Sequence, residues 1–331
     1  MVLHAPQPAE DHPLRLEDLP QPEPAEGQIR VRVNTCGICH TDLHTIEGDL
    51  ELPTLPIVPG HQIIGRIDAV GAGVKTLHEG DRVGVPWLYS TDQVCEFCLE
   101  GRENLCERAK FTGLHANGGY AEWVVVDAGF AYSLPEVFND LHAAPLLCAG
   151  VIGYRSYRLS GARRGDRVGL YGFGASAHIV LQLARHEGCE VYVFTRSEQH
   201  RALAHQLGAA WTGSAHDTPP AKMDASIVFA PAGELVPQSL RVLRKGGTLA
   251  LAGISMSAIP EFDYGLIYHE KVLRSVANST RRDVRELLDL AAEAPIRIKV
   301  QEFALEQAND ALAALKHSQI NGAGVLRVSY E

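Results

Sequence analysis

The stretch "DRVGLYGFGASAHIVLQLARHEGCEVYVF", residues 166–194, constrains the fold more than any other part of the chain. It opens on a short β-branched and apolar run, turns through glycines, continues with apolar residues at helical spacing, and ends on a second β-branched run. The alternation goes on: helix "EQHRALAHQLGA", strand "DASIVFA", helix "ELVPQSLRVL" and strand "GGTLALAG". Strands that alternate with helices in this way argue for a parallel, doubly wound sheet.

The first third reads differently. "IRVRVNTCG", "IIGRIDAVG", "DRVGVPW" and "AEWVVVD" are short β-branched runs punctuated by glycine and proline. Near Asn139 the texture turns helical, in "NDLHAAPLLCAGVIGYRSY", with a break at Pro145. After about residue 280 a mixed tail follows, with strands expected at "IKVQEF" and "GVLRVSY". A length of 331 residues is enough for two cores. The formal net charge of -10, with lysine and arginine scattered, argues against a nucleic-acid partner. No apolar run is long enough to cross a bilayer, and "MVLHAPQPAEDHP" lacks the basic start and apolar stretch of a signal peptide. The expectation is a cytoplasmic protein with no membrane partner.

The glycine turn is Gly172-Phe173-Gly174-Ala175-Ser176-Ala177, between a strand and a helix. This is G-x-G-x-x-A, a variant of the dinucleotide-binding fingerprint. The first glycine permits the tight turn, the second lets backbone approach a pyrophosphate at the helix N-terminus, and the small third residue allows close packing. The second strand ends in "VFTRS". Thr195 stands where an acidic residue normally grips the adenosine ribose, and Arg196 follows. An arginine there suits a 2′-phosphate, which tilts the cofactor from NAD toward NADP; the alternative is that Arg196 stacks on adenine or faces solvent and NAD still binds.

Seven cysteines is an odd count, and six of them precede residue 150. In a reducing compartment clustered cysteines indicate metal or catalysis before disulfides. Cys189, alone at a strand start, reads as a small buried apolar residue. "TCGICHTDLH", residues 35–44, follows a strand; His61 sits in "PGHQIIGRI" at a turn entering a strand; Cys148 lies far downstream in "LLCAGV". Cys39, His61 and Cys148 make a set that leaves the fourth tetrahedral position open, as a catalytic zinc requires. Taken singly, His61 reads as a hydrogen-bonded turn residue and Cys148 as a buried apolar one.

"CGICHTDLH", "LPIVPGHQIIGRIDAVG", "GGYAEWVVV", "APLLCAGVIGYRS" and "YGFGASAH" occur in that order. With them, nearly the whole chain resembles the zinc-dependent medium-chain dehydrogenases, specifically their alcohol dehydrogenases. The resemblance implies an α/β plus mostly-β protein: a GroES-like catalytic domain over 1–138 and 281–331, a Rossmann dinucleotide-binding domain over 139–280, and assembly as a homodimer or homotetramer. It implies a catalytic zinc on Cys39, His61 and Cys148, with Asp42 orienting His61 and Cys36 no ligand. Thr41 matches the hydroxyl beside the substrate oxygen, and His44 the distal end of a proton relay through the cofactor ribose. His40 matches a contact to the cofactor pyrophosphate. Leu50 and Trp87 match cleft-lining positions, large and apolar, which favours small or medium primary alcohols and their aldehydes. The alternative for that pair is ordinary core.

A second cluster, "DQVCEFCLEGRENLC", resembles the family's structural-zinc lobe with one change. Cys95, Cys98 and Cys106 match its last three ligands, and Asp92 stands where the first cysteine is expected. A carboxylate oxygen can ligate zinc, so a second, structural zinc on Asp92 and three thiolates is allowed; the alternative is a lobe held by packing alone. Gln62 replaces the family's glutamate beside the metal, and Ala323 an arginine that some relatives direct at the pyrophosphate. Two other functions compete with an alcohol dehydrogenase. A zinc-free quinone or enone reductase of the same fold has no need for the three metal ligands together. A non-catalytic nucleotide-binding zinc protein has no need for Thr41 with His44.

Overall fold

The computed structural model describes residues 1–329. By the contacts between its residues the chain divides into two compact units. The first comprises Met1–Cys148, Ser279–Asp289 and the chain from Ile298 on; the second comprises Ala149–Asn278 and Leu290–Arg297.

The first unit is built on strand β1 (Gln28–Ile38), whose buried residues alternate along much of its length. Helix α1 (His40–Glu47) follows directly, then β2 (Gln62–Val70), β3 (Arg82–Val85), β4 (Trp123–Asp127) and β5 (Tyr132–Ser133). β2 lies antiparallel to β1 with Gly37 opposite Gln62, and β4 also pairs with β1. Ile29, Val31 and Val33 point into one core with Ile63, Ile67, Val83, Val124 and Val126. β1 to β4 are the strands that the β-branched runs predict; the two-residue β5 is not among them.

The first unit runs to Cys148 rather than to residue 138, where the change of texture set the expected boundary. The reason is a set of long-range polar bonds. Asp140 accepts from Asn34 Nδ2 at 2.8 Å and from Arg82 Nε at 2.7 Å. Behind it a buried 3-10 turn, Ala144–Leu147, contains Pro145 and ends at Cys148. The helical stretch expected there is thus broken in two at the proline, as its position predicts.

The second unit begins with helix α2 (Ala149–Ser160). Then β6 (Arg167–Tyr171), α3 (Ala175–His186), β7 (Glu190–Phe194), α4 (Glu198–Gln206), β8 (Trp211–Gly213), β9 (Met223–Val228), α5 (Leu235–Val242), β10 (Leu243–Leu251) and β11 (Val272–Ser275) follow in turn. The strands form one parallel sheet in the order β8-β7-β6-β9-β10-β11. This is the doubly wound order with a switch between β6 and β9, the place where such sheets bind ligands. Both faces are covered at the centre of the sheet, so β6, β7 and β9 are largely buried and apolar, whereas the edge strand β11 is exposed. Val191 and Val193 of β7 join one core with Ala177 and Val180 of α3, while Tyr192 and Phe194 join another with Val236 and Leu240 of α5.

After helix α6 (Arg281–Glu293), the chain adds β12 (Val300–Ala304), α7 (Ala308–Lys316) and β13 (Ala323–Arg327). β13 pairs with β1, so the tail completes the first sheet as expected. Leu290–Arg297 belongs to the second unit, where Gln182 brackets Arg297 with two hydrogen bonds of 3.0 and 2.8 Å. Among the described residues no helix is long and apolar enough to cross a membrane.

Candidate functional site

The β1–β2 register determines the metal-ligating geometry. With Gly37 opposite Gln62, Cys39 just past the end of β1 and His61 just before β2 share one end of the sheet. Cys39 Sγ lies 3.3 Å from His61 Nε2 and 3.7 Å from Cys148 Sγ. All three ligand atoms fall within 4.8 Å of one another. Bond lengths of tetrahedral zinc imply edges of about 3.6 Å for S···N and about 3.8 Å for S···S. The three atoms therefore already stand close to the spacing that zinc requires.

Cys39 is also the N-cap of α1. Its Sγ accepts from Thr41 N–H at 3.3 Å, and its own N–H donates to Asp42 Oδ2 at 2.9 Å, a capping box with sulfur in the place of a hydroxyl. The other Asp42 oxygen, Oδ1, accepts from His61 Nδ1 at 2.9 Å, which turns Nε2 toward the sulfurs. Asp42 and His61 are both buried.

The electrostatics of the cluster suit a cation. The hydrogen bond from Cys148 holds the Cys39 thiol well below its usual range, with His61 and Thr41 assisting against burial. Cys148, half-buried, is pushed well above its own range by that same bond and by desolvation. Burial alone would lower His61, yet the Asp42 carboxylate and Cys39 sulfur push it up to about 10. A divalent ion among these atoms satisfies the same field that otherwise holds protons.

The other expected residues of this region are placed as follows. Thr41 is buried and His44 half-buried, and His44 Nδ1 lies 2.7 Å from Asp49 Oδ2. His40 opens α1 and is exposed. Leu50, half-buried, donates its N–H to His44 O at 3.4 Å. The Trp87 ring is centred 6.1 Å from the His61 ring and stacks at 4.3 Å on Phe111, which meets His115 edge-on at 5.4 Å. Sequence reading missed Asp49, Phe111 and His115; their residue types, in turns or in the two-residue strand Lys110–Phe111, carry no signal of their own. Cys36 is fully buried and its thiol is pushed up by burial, in keeping with a packing role. Cys189 is buried as expected.

Asp92, Cys95, Cys98 and Cys106 form the second group whose ligand atoms lie within 4.8 Å of one another. Asp92 Oδ1 accepts the N–H groups of Cys95 at 3.0 Å and Val94 at 3.1 Å, and these bonds hold its carboxyl well below the usual range.

In the second unit the turn after β6 has the features of an anion cradle. Gly172 takes φ 84, and a Cβ there would meet Ala230 at 3.0 Å. Gly174 caps α3 without any side-chain bond, and a Cβ on it would meet nothing within 4 Å. Backbone N–H groups at Ala175, Ser176 and Ala177 thus begin a helix beneath open space, as a bound pyrophosphate requires. Thr195 is buried just past β7, its N–H donating to Gly213 O at 2.8 Å. Arg196 is exposed and has no carboxylate partner among the described residues.

Comparison with known proteins accords with this arrangement. Residues 25–136 match the family model for the alcohol dehydrogenase GroES-like domain, and residues 177–293 that for zinc-binding dehydrogenase. The chain is 44% identical over 329 residues to "Probable alcohol dehydrogenase AdhA" of Mycobacterium tuberculosis, covering 98% of this chain and 95% of that protein. It superposes on a crystal structure of an NAD-dependent alcohol dehydrogenase with a TM-score of 0.90 at 26% identity, covering 99% of each chain. It superposes on CAD from Helicobacter pylori, complexed with NADP(H), with a TM-score of 0.83 at 26% identity, covering 92% and 91% of the two chains. The chain belongs to the zinc-dependent medium-chain alcohol dehydrogenase family.

Proposed function

We propose that this protein is a zinc-dependent alcohol dehydrogenase that interconverts small or medium primary alcohols and their aldehydes, using NADP in preference to NAD. The observation that carries the reading is the convergence of Cys39, His61 and Cys148 at spacings that fit tetrahedral zinc. An ion held there supplies a Lewis acid with one open position for a substrate oxygen. Asp42 keeps the His61 ring turned with Nε2 toward the sulfurs. Thr41 and His44, three residues apart on α1, share one helix face. In this reading Thr41 takes the substrate hydroxyl proton, and His44, braced by Asp49, passes it to solvent. Trp87 and Leu50 offer apolar surface to the substrate carbon chain, and the closeness of Trp87 to His61 supports its part.

Gly172, Gly174, Ala175, Ser176 and Ala177 would hold the dinucleotide pyrophosphate, with His40 a further contact to it; hydride acceptance is the cofactor's own chemistry. Thr195 in place of a carboxylate, and the unpaired Arg196 beside it, support a 2′-phosphate. Relatives of this fold bind either cofactor, so the preference rests on these two residues. Asp92, Cys95, Cys98 and Cys106 would hold a second, structural zinc. Exposed Val272 and Leu273 on the edge strand β11 support pairing with a second copy in a homodimer or homotetramer.

Metal analysis combined with nicotinamide absorbance in the presence of a primary alcohol tests the reading. Two zinc ions per chain with turnover is the expected result, and one zinc with turnover means that the Asp92 lobe is empty. Quinone reduction without zinc would replace this reading with a zinc-free reductase. Metal without turnover on any alcohol would replace it with a non-catalytic protein.

A further inference from the structure

Tyr120 is one of the largest side chains in the chain with no solvent exposure. Its backbone runs beside the segment that leads into His61. Gly118 N–H donates to Val58 O at 2.7 Å, Gly119 N–H to Gly60 O at 3.0 Å, and Tyr120 N–H to Pro59 O at 3.0 Å. Gly60, immediately before His61, takes φ 97, and a Cβ there would stand 2.4 Å from Tyr120 Cδ1. The Tyr120 ring is therefore seated against the backbone that presents the imidazole.

The other end of the same side chain meets the same imidazole by a second route. The Tyr120 hydroxyl is buried with no hydrogen-bond partner at ordinary length, and the hydrogen-bonding group beside it is the Asp42 carboxylate. Asp42 gives Oδ1 to His61 and Oδ2 to Cys39 N–H, so each oxygen keeps a lone pair. A buried hydroxyl without a partner is unfavourable, and phenylalanine would fill the same space without that penalty. The hydroxyl thus has a use that packing does not explain.

We propose that Tyr120 is a positioning residue for the centre formed by Cys39, His61 and Cys148: its ring braces Gly60, and its hydroxyl donates to Asp42 when a metal is bound, holding the His61 imidazole in line. This rests on the reading of those three residues as metal ligands. The test uses the full chain stripped of metal and titrated with Co2+ against a competing chelator, with thiolate-to-cobalt absorbance as the readout. The signal lost in Cys148→Ser identifies this centre and separates it from the Asp92 lobe. In Tyr120→Phe, Co2+ at this centre should bind about tenfold more weakly, the usual size of an effect on a group that orients a ligand. Lobe affinity should not change, and the unfolding midpoint of the metal-free chain should hold or rise, since the unpartnered hydroxyl is removed. Unchanged affinity at the centre overturns the proposal. A lowered metal-free midpoint in Tyr120→Phe also overturns it, because the hydroxyl would then serve packing alone. If the wild-type chain shows no signal that Cys148→Ser removes, the ligand assignment itself falls and takes this proposal with it.

Discussion

Cys39 carries two tasks on one sulfur, and the two are compatible. As N-cap it accepts the Thr41 N–H, and as a candidate ligand it faces His61 and Cys148. The positive end of a helix favours the thiolate that a metal needs. The Cys148 side chain is half-buried and serine is nearly its shape, so it can be changed with little cost to the fold. Cys148→Ser should lose the zinc of this centre and its alcohol turnover, with an unchanged circular dichroism spectrum; turnover at the wild-type rate would contradict the ligand role. Arg196 is separable in the same way. Hydrogen bonds to charged groups contribute about 1.5–3 kcal/mol, so in Arg196→Asp the NADP-over-NAD ratio of kcat/KM should fall by about tenfold or more. An unchanged ratio would remove Arg196 from cofactor choice. At this scale residue type and spacing pointed to Cys39, His61 and the glycines, and the family resemblance to Asp42. Tyr120 was invisible because its partners, Gly60 and Asp42, are distant in sequence and a tyrosine in "GGYAEW" reads as strand.

Among elements, the turn between β6 and α3 is where sequence and ligand constrain each other most tightly. Its two glycines are there for different reasons. Gly172 serves the fold: its φ of 84 is one that other residues rarely adopt, and Ala230 crowds the space a side chain would enter. Gly172→Ala should lose about 1–2 kcal/mol of stability from backbone strain alone, measurable by denaturant unfolding. Gly174 serves the ligand: its φ of -95 suits any residue and a Cβ there touches nothing. Gly174→Ala should keep the wild-type unfolding midpoint while weakening dinucleotide binding. Binding at wild-type strength would mean that no phosphate approaches this backbone. The strand-helix alternation was legible because a doubly covered sheet demands apolar strands and one-faced helices. Tyr192 and Phe194 on one face of β7, with Val191 and Val193 on the other, are that demand written out. The 3-10 turn before Cys148 was only half legible, since Pro145 announces a break but not the geometry that follows it.

For the whole molecule, the parallel, doubly wound arrangement followed from the alternation, whereas the edge between units did not. Residues 139–148 look helical like what comes after them, yet bonds from Asn34, Thr35 and Arg82 to Asp140, and the approach of Cys148 to Cys39, tie them to what comes before. Such contacts join positions 58 to 109 residues apart and leave no local trace. The resulting division has a functional meaning. Both groups of candidate metal ligands, Cys39 with His61 and Cys148, and Asp92 with Cys95, Cys98 and Cys106, lie in the first unit. The glycine turn and Arg196 lie in the second. Each unit has hydrophobic clusters of its own: Ile29, Ile63 and Val126 in one, Leu170, Val180 and Val193 in the other. Metal binding stabilises the fold that supplies the ligands, so its loss should be felt chiefly there. Chelation should therefore abolish alcohol turnover while the dinucleotide still binds, as read by calorimetric titration with NADPH. Dinucleotide affinity that collapses together with activity would mean that the second unit depends on the metal, contrary to the independence of its core.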